Sequence, residues 1–175
     1  MLETDRTTTL DPQARLAVLL ATTGLTQLDL AKLLGVASRT VRRWMQGVCT
    51  PPAVAIKELE ALARTLDEAA DSVVRGMDEQ GSAAAVLIVY RRDYDVPPSR
   101  GLRTVRCHLA LVRRVAERRP DVQFVTYDRH PYRHWLGSRP DTAAMRNAWA
   151  ASRVSGRRLD KNFGQEEASS EMTIE

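Results

Sequence analysis

Cysteine is scarce in this sequence. Cys49 and Cys107 are its only two, too few for a disulfide framework. Long apolar runs are also missing: the longest, Ala83 to Tyr90, is far too short to cross a bilayer as a helix. The opening Met1-Leu2-Glu3-Thr4-Asp5-Arg6 carries acids and no apolar stretch, so no signal peptide is expected and the cytoplasm is the default setting. No glycine-rich phosphate loop precedes a helix, and no Ser-His-Asp or metal-dyad spacing stands out. Cys107 and His108 are adjacent and point different ways on a helix, so with His130 and His134 they make a poor zinc set. His108 reads as a surface or partly buried residue, and no metal, cofactor or enzyme centre is expected. Asp93, Asp95 and Asp128 have basic neighbours that would suit a nuclease centre, but nothing in the sequence fixes their geometry.

Lysine is missing where positive charge is densest. From Arg91 to Arg158 there are 16 Arg, no Lys and 6 acids, a net +10. Met1 to Tyr90 holds 9 basic and 11 acidic residues, a net −2, and Leu159 to Glu175 holds 1 and 5, a net −4. A basic middle of that size favours a polyanion partner, because neutralised phosphates release counterions. Arginine runs also serve as plain solvated helix faces. Arg103, Arg106, Arg129 and Arg133 are the candidates for extra nucleic-acid contact in this half. The densest aromatic-basic stretch, Tyr127 to Arg139, reads as a loop. Its rings either stack bases, or Tyr132, Trp135 and Leu136 pack a core.

Periodicity and punctuation give an α+β chain in two parts. Residues 1–10 are expected to be flexible, 11–80 to form an all-helical domain of four or five helices, 83–155 a small β-α-β-α domain, and 156–175 a disordered acidic tail. Asp11-Pro12 caps a first helix with Leu16, Leu19 and Leu20 at helical spacing, and Gly24 ends it. Thr26 caps a second helix carrying Leu28, Leu30, Ala31, Leu33 and Leu34, which stops at Gly35. A third holds Val41, Trp44 and Met45 on one side and ends at Gly47. Pro51-Pro52 opens a fourth with Ile56, Leu59, Leu62, Ala63 and Leu66 inward, and its acidic continuation, Asp67 to Asp78, is expected to fray toward Gly81. In the second part, Ala85 to Tyr90 and Val122 to Tyr127 read as strands. Between them Leu102 to Arg119 is amphipathic, with Leu102, Val105, Leu109, Val112 and Ala116 as its expected inner face. Asp141 is expected to cap a last helix through Ala143, Met145, Ala148 and Trp149.

The window from Thr26 to Gly47 carries the functional signal. Gln27 sits beside the free amides at a helix start, where a phosphate can bind. Ala31 is small where the third helix crosses, Gly35 permits the tight turn, and Val36, Val41 and Trp44 wedge the third helix onto the others. Ser38, Arg39, Arg42 and Arg43 are left facing outward, as on a helix that offers its N-terminal side chains to base edges.

This window resembles the helix-turn-helix of the XRE family, the lambda and 434 repressor type, over roughly Asp11 to Leu66. The resemblance implies a sequence-specific double-stranded DNA-binding repressor, with Ser38, Arg39, Arg42 and Arg43 as base readers and Gln27, Thr40 and Gln46 as phosphate-positioning residues. Ala37 departs from the pattern, since the family usually caps its recognition helix there with Ser or Thr, and Ser38 is the alternative cap. The second half is similar, in order of elements and a few residues only, to anti-CRISPR-associated and YdiL-like autorepressors. That likeness implies a homodimer repressing its own operon through an inverted repeat. An antitoxin-type autoregulator whose C-terminal half binds a protein partner is the alternative.

Overall fold

Capping chemistry sets the helix boundaries of the first third of the chain. The computed structural model describes residues 11–79, 85–97 and 104–155. Over these residues the chain is mostly helical with one small parallel sheet, an α+β protein. It divides into two compact units at Ala70 and Asp71. Among the described residues no single helix is long and apolar enough to cross a membrane.

The first unit contains α1 (Pro12–Thr23), α2 (Gln27–Leu34), α3 (Ser38–Met45) and the first part of α4 (Ala53–Glu79). Asp11 accepts from the Gln13 amide at 2.9 Å, with Pro12 at the first helical position. At α2, Thr26 and Asp29 form a reciprocal capping box. α2 and α3 end alike: Val36 donates to Ala31 O and Val48 to Arg43 O, each at 3.0 Å. These are Schellman bonds, and the residues that turn the chain there are Gly35 and Gly47, at φ of 65° and 71°. The chain bends by 99° between α1 and α2. Leu16, Leu20, Leu30, Val41, Trp44, Leu59 and Leu66 are buried in the core, each contributing on the order of 1.5–3 kcal/mol. Leu28, expected within the stripe of α2, is 52% exposed.

α4 does not fray after Leu66 as expected; it continues as one helix to Glu79. Its inward stripe persists through Ala70, fully buried, and half-buried Val73, Val74 and Met77. Its acids are not idle surface either. Within the second unit, Asp71 pairs with Arg118 at 2.9 Å and Asp78 with Arg119.

The second unit is built on β1 (Val86–Val89) and β2 (Gln123–Thr126), which pair in parallel with Val86 opposite Gln123 and Ile88 opposite Val125. A 3-10 turn at Asp93–Asp95 follows β1, and α5 (Val105–Arg118) connects the two strands. After β2 come α6 (Arg129–Leu136) and α7, residues 143–155. Ile88, Tyr90, Val125 and Tyr127 point to one side of the sheet, where they pack with Tyr132, Leu136, Trp149, Ala150 and Val154. The rings of Tyr127, Tyr132 and Trp149 lie 5.3–5.8 Å apart, centroid to centroid. That is the separation at which tilted aromatic pairs attract.

Three sequence expectations are corrected in this unit. The inner face of α5 is Cys107, His108, Leu111, Val112 and Val115, while Leu109 is 43% exposed. The helix is rotated from the expected face because His108 is buried: its Nε2 donates to Ile88 O at 2.8 Å, and its ring meets the Tyr90 ring edge-on. The stretch after Tyr127 is not a loop. Asp128 accepts from the His130 amide, α6 runs through Tyr132, and Tyr132 and Leu136 enter the core. Asp141 does not cap α7; Thr142 does, accepting from the Met145 amide at 3.2 Å. Asp141 instead binds Arg146 through both oxygens and accepts from the Tyr132 hydroxyl.

Candidate nucleic-acid interface

α3 is short and sharply two-sided. Val41 is fully buried and Trp44 nearly so, while Ser38, Arg39, Arg42 and Arg43 are exposed. Residues 39, 42 and 43 stand at i, i+3 and i+4, so their side chains share one strip of helix surface. No carboxylate among the described residues pairs with Arg39, Arg42 or Arg43. Three guanidiniums with no internal counter-charge leave that strip strongly positive.

The N-terminus of α3 is bare. Ala37 is the cap residue and makes no side-chain cap bond; Ser38 is the first helical residue and does not take over that role. Its hydroxyl therefore stays on the exposed face beside Arg39 and Arg42. Thr40 is half-buried, one turn inside, with its amide donating to Ala37 O at 2.9 Å. Gln46 is exposed at the C-cap of α3, and Gln27 is exposed at the first position of α2. The capping box occupies the Asp29 amide and puts a carboxylate in that first turn. The amides offered at the start of α2 are thus those of Gln27 and Leu28, fewer than a bare helix end provides.

One residue with no sequence signal holds α3 in place. Gln13 of α1 donates from Nε2 to Met45 O at 2.6 Å, tying the C-terminal end of α3 to α1. Its Oε1 lies 2.5 Å from where a Cβ on residue 47 would stand, so a side chain there would push the Gln13 amide aside, while the positive φ itself favours glycine. An amide in the first turn of α1 looks in sequence like any solvated polar residue.

The second unit's arginines have a different character. Arg129, a candidate for nucleic-acid contact, is bound to buried Asp95 at 2.7 Å and lies over the Tyr94 ring. Arg113 pairs with Glu117, Arg118 with Asp71, Arg119 with Asp78 and Asp121, and Arg146 with Asp141. The Arg119 guanidinium holds the Asp121 carboxyl down at about 2. Arg146 likewise lowers that of Asp141, and desolvation raises the Tyr132 hydroxyl, which donates to Asp141. Five arginines of the basic segment are therefore engaged by acids of the same unit. Arg106 and Arg133 are exposed with no carboxylate partner among the described residues, and Arg103 lies outside those residues.

No nuclease geometry forms from the three aspartates. Asp93 accepts from the Val105 amide at 2.7 Å, Asp95 holds Arg129, and Asp128 caps α6. Among the described residues no cluster of His, Cys, Asp and Glu is arranged to hold a metal ion. No protein-family model matches the chain, and no curated protein matches its sequence.

Proposed function

We propose that α2, the turn at Gly35 and α3 act as a helix-turn-helix, and that the chain is a sequence-specific double-stranded DNA-binding repressor. One observation carries this reading: α3 is anchored by Val41, Trp44 and Gln13, and turns three arginines without carboxylate partners, with Ser38, outward. Guanidinium forks suit the O6 and N7 of guanine in the major groove, so at least one guanine belongs in each half-site. Gln27 and Gln46 flank the strip at positions suited to phosphates, with the Gln27 and Leu28 amides adding donors. The contrast with Arg113, Arg118, Arg119, Arg129 and Arg146 of the second unit, each paired with a carboxylate, supports the assignment.

Two copies on an inverted repeat would place recognition helices about 34 Å apart on one DNA face. Among the described residues the two-stranded sheet leaves one unpaired edge on each strand, and Phe124 on β2 is 48% exposed, which supports a second copy meeting the second unit. The test is selection of binding sites from random duplexes, followed by footprinting and sedimentation of the complex. A protected inverted repeat with two chains bound supports the reading. Failure to retain any duplex at about 50 mM salt, where phosphate contacts are strongest, refutes it.

A further inference from the structure

We infer that a pocket of the first unit is an effector site for a small organic monoanion, a carboxylate on a compact apolar body. The pocket lies where the start of α1 meets the start of α4, with Pro12, Arg15, Pro51, Ile56, Lys57 and Glu60 in its lining. Its volume is about 340 Å³, at the small end of the range that holds ligands. All of these residues belong to the one unit.

Two kinds of lining select the ligand. Pro12, Pro51, Ala53 and Ile56 give an apolar wall, and Pro51 and Ile56 are buried. The charged part is Arg15, Lys57 and Glu60. Glu60 accepts from Arg15 Nη2, so those two largely cancel. Lys57 has no carboxylate partner among the described residues. Two cations against one acid leave the lining at +1, which one anionic group balances. Ala53 opens α4, whose first turn carries no acid, so the positive end of that helix dipole adds to the same field. An inorganic anion would answer Lys57 and leave the apolar wall in water. A neutral apolar molecule would cover the wall and leave the charge unanswered. A carboxylate on a compact apolar body does both, with Lys57 Nζ donating to it.

The pocket adjoins the segments that hold α3. Pro12 precedes Gln13, whose amide binds Met45 O, and Pro51 lies on the connection from α3 to α4. A ligand seated against Pro12 and Pro51 favours the arrangement in which α3 is anchored. On the DNA-reading role proposed above, on which this step rests, it therefore tightens duplex binding. The shift can be no larger than the ligand's preference for that arrangement.

The test uses the full chain, with benzoate and hexanoate as probes and benzamide and hexanamide as their neutral counterparts. Backbone amide shifts are followed at about 50 mM salt. The two acids should give saturable shifts at residues 12–15 and 51–60, reaching saturation on the order of 10 mM, as expected for so small a ligand. The amides should bind more weakly by about fivefold or more. Lys57→Gln, a change at an exposed position, should weaken the acids by about fivefold, and Lys57→Arg should restore them. Equal shifts from acids and amides, or acid shifts unchanged by Lys57→Gln, overturn the site. Affinity for a selected duplex is then measured with benzoate or with chloride at the same concentration. Benzoate should tighten it about fivefold in the parent chain and leave Lys57→Gln unchanged. Lys57-dependent shifts with no change in duplex affinity overturn the effector role. Those shifts in a chain that retains no duplex under any condition sink the DNA-reading role alone.

Discussion

Replacing Gly47 with alanine should destabilise the first unit by about 2 kcal/mol, roughly twice the effect of the same change at Gly35. Both glycines have positive φ, 71° and 65°. A left-handed conformation costs an L-residue roughly 1–2 kcal/mol, and the stiffer unfolded chain returns about 0.4–1 kcal/mol. At Gly35 nothing lies within 4 Å of the added carbon, so about 1 kcal/mol is the whole effect. At Gly47 the added Cβ would stand 2.5 Å from Gln13 Oε1. The Gln13 amide must then swing away and give up its bond to Met45 O, which contributes about 0.5–1.5 kcal/mol. Urea titrations of both variants, followed by circular dichroism, read the difference as a shift in midpoint at constant slope. A double-mutant cycle with Gln13→Ala should return a coupling of about 1 kcal/mol. If Gly47→Ala costs no more than Gly35→Ala, or its cost is unchanged in the Gln13→Ala background, Gln13 is not the clamp on α3.

Arg42→Ala should weaken binding to a selected site by about 1–3 kcal/mol and relax preference at one base pair, measured by competition among single-base variants; a loss uniform across sequences would assign it to phosphate instead. Asp141 is held below its ordinary 3.8, chiefly by the hydrogen bonds from Arg146, so its contribution to stability is full above that value and drains away as pH falls. Asp141→Asn should therefore lower the urea midpoint at neutral pH and converge on the parent chain as pH falls below 3.8 and through the lowered value of the folded carboxyl; a constant deficit across that range would show that charge is not what Asp141 supplies. Trp149→Ala, at a site 2% exposed, should cost about 3–5 kcal/mol by urea unfolding, and a cost under 1 kcal/mol would mean the aromatic core of the second unit is loosely packed.

The first unit was largely legible because its signals are local. Asp11-Pro12, Thr26 with Asp29, and the glycines at 35 and 47 act through bonds two to five residues long, so a linear reading captures them. The two faces of α3 follow from 3.6-residue periodicity for the same reason. α5 misled because an amphipathic count treats histidine and cysteine as surface, and His108 is drawn inside by a carbonyl twenty positions earlier. The Tyr127 to Arg139 stretch looked like a loop because a proline at 131 and interleaved arginines, histidines and aromatic rings mask the apolar face of its helix.

By itself the amino-acid order determined where the first three helices begin and end, which side of α3 is apolar, and that arginine crowds one stretch of chain. Tertiary structure alone decided which of those arginines remain available. Arg129, Arg118 and Arg146 meet acids 34, 47 and 5 residues away, whereas the first unit's strip at 39, 42 and 43 is left without such acids among the described residues. Charge is a property of a residue, but neutralisation depends on which residue folding brings within about 3 Å of it.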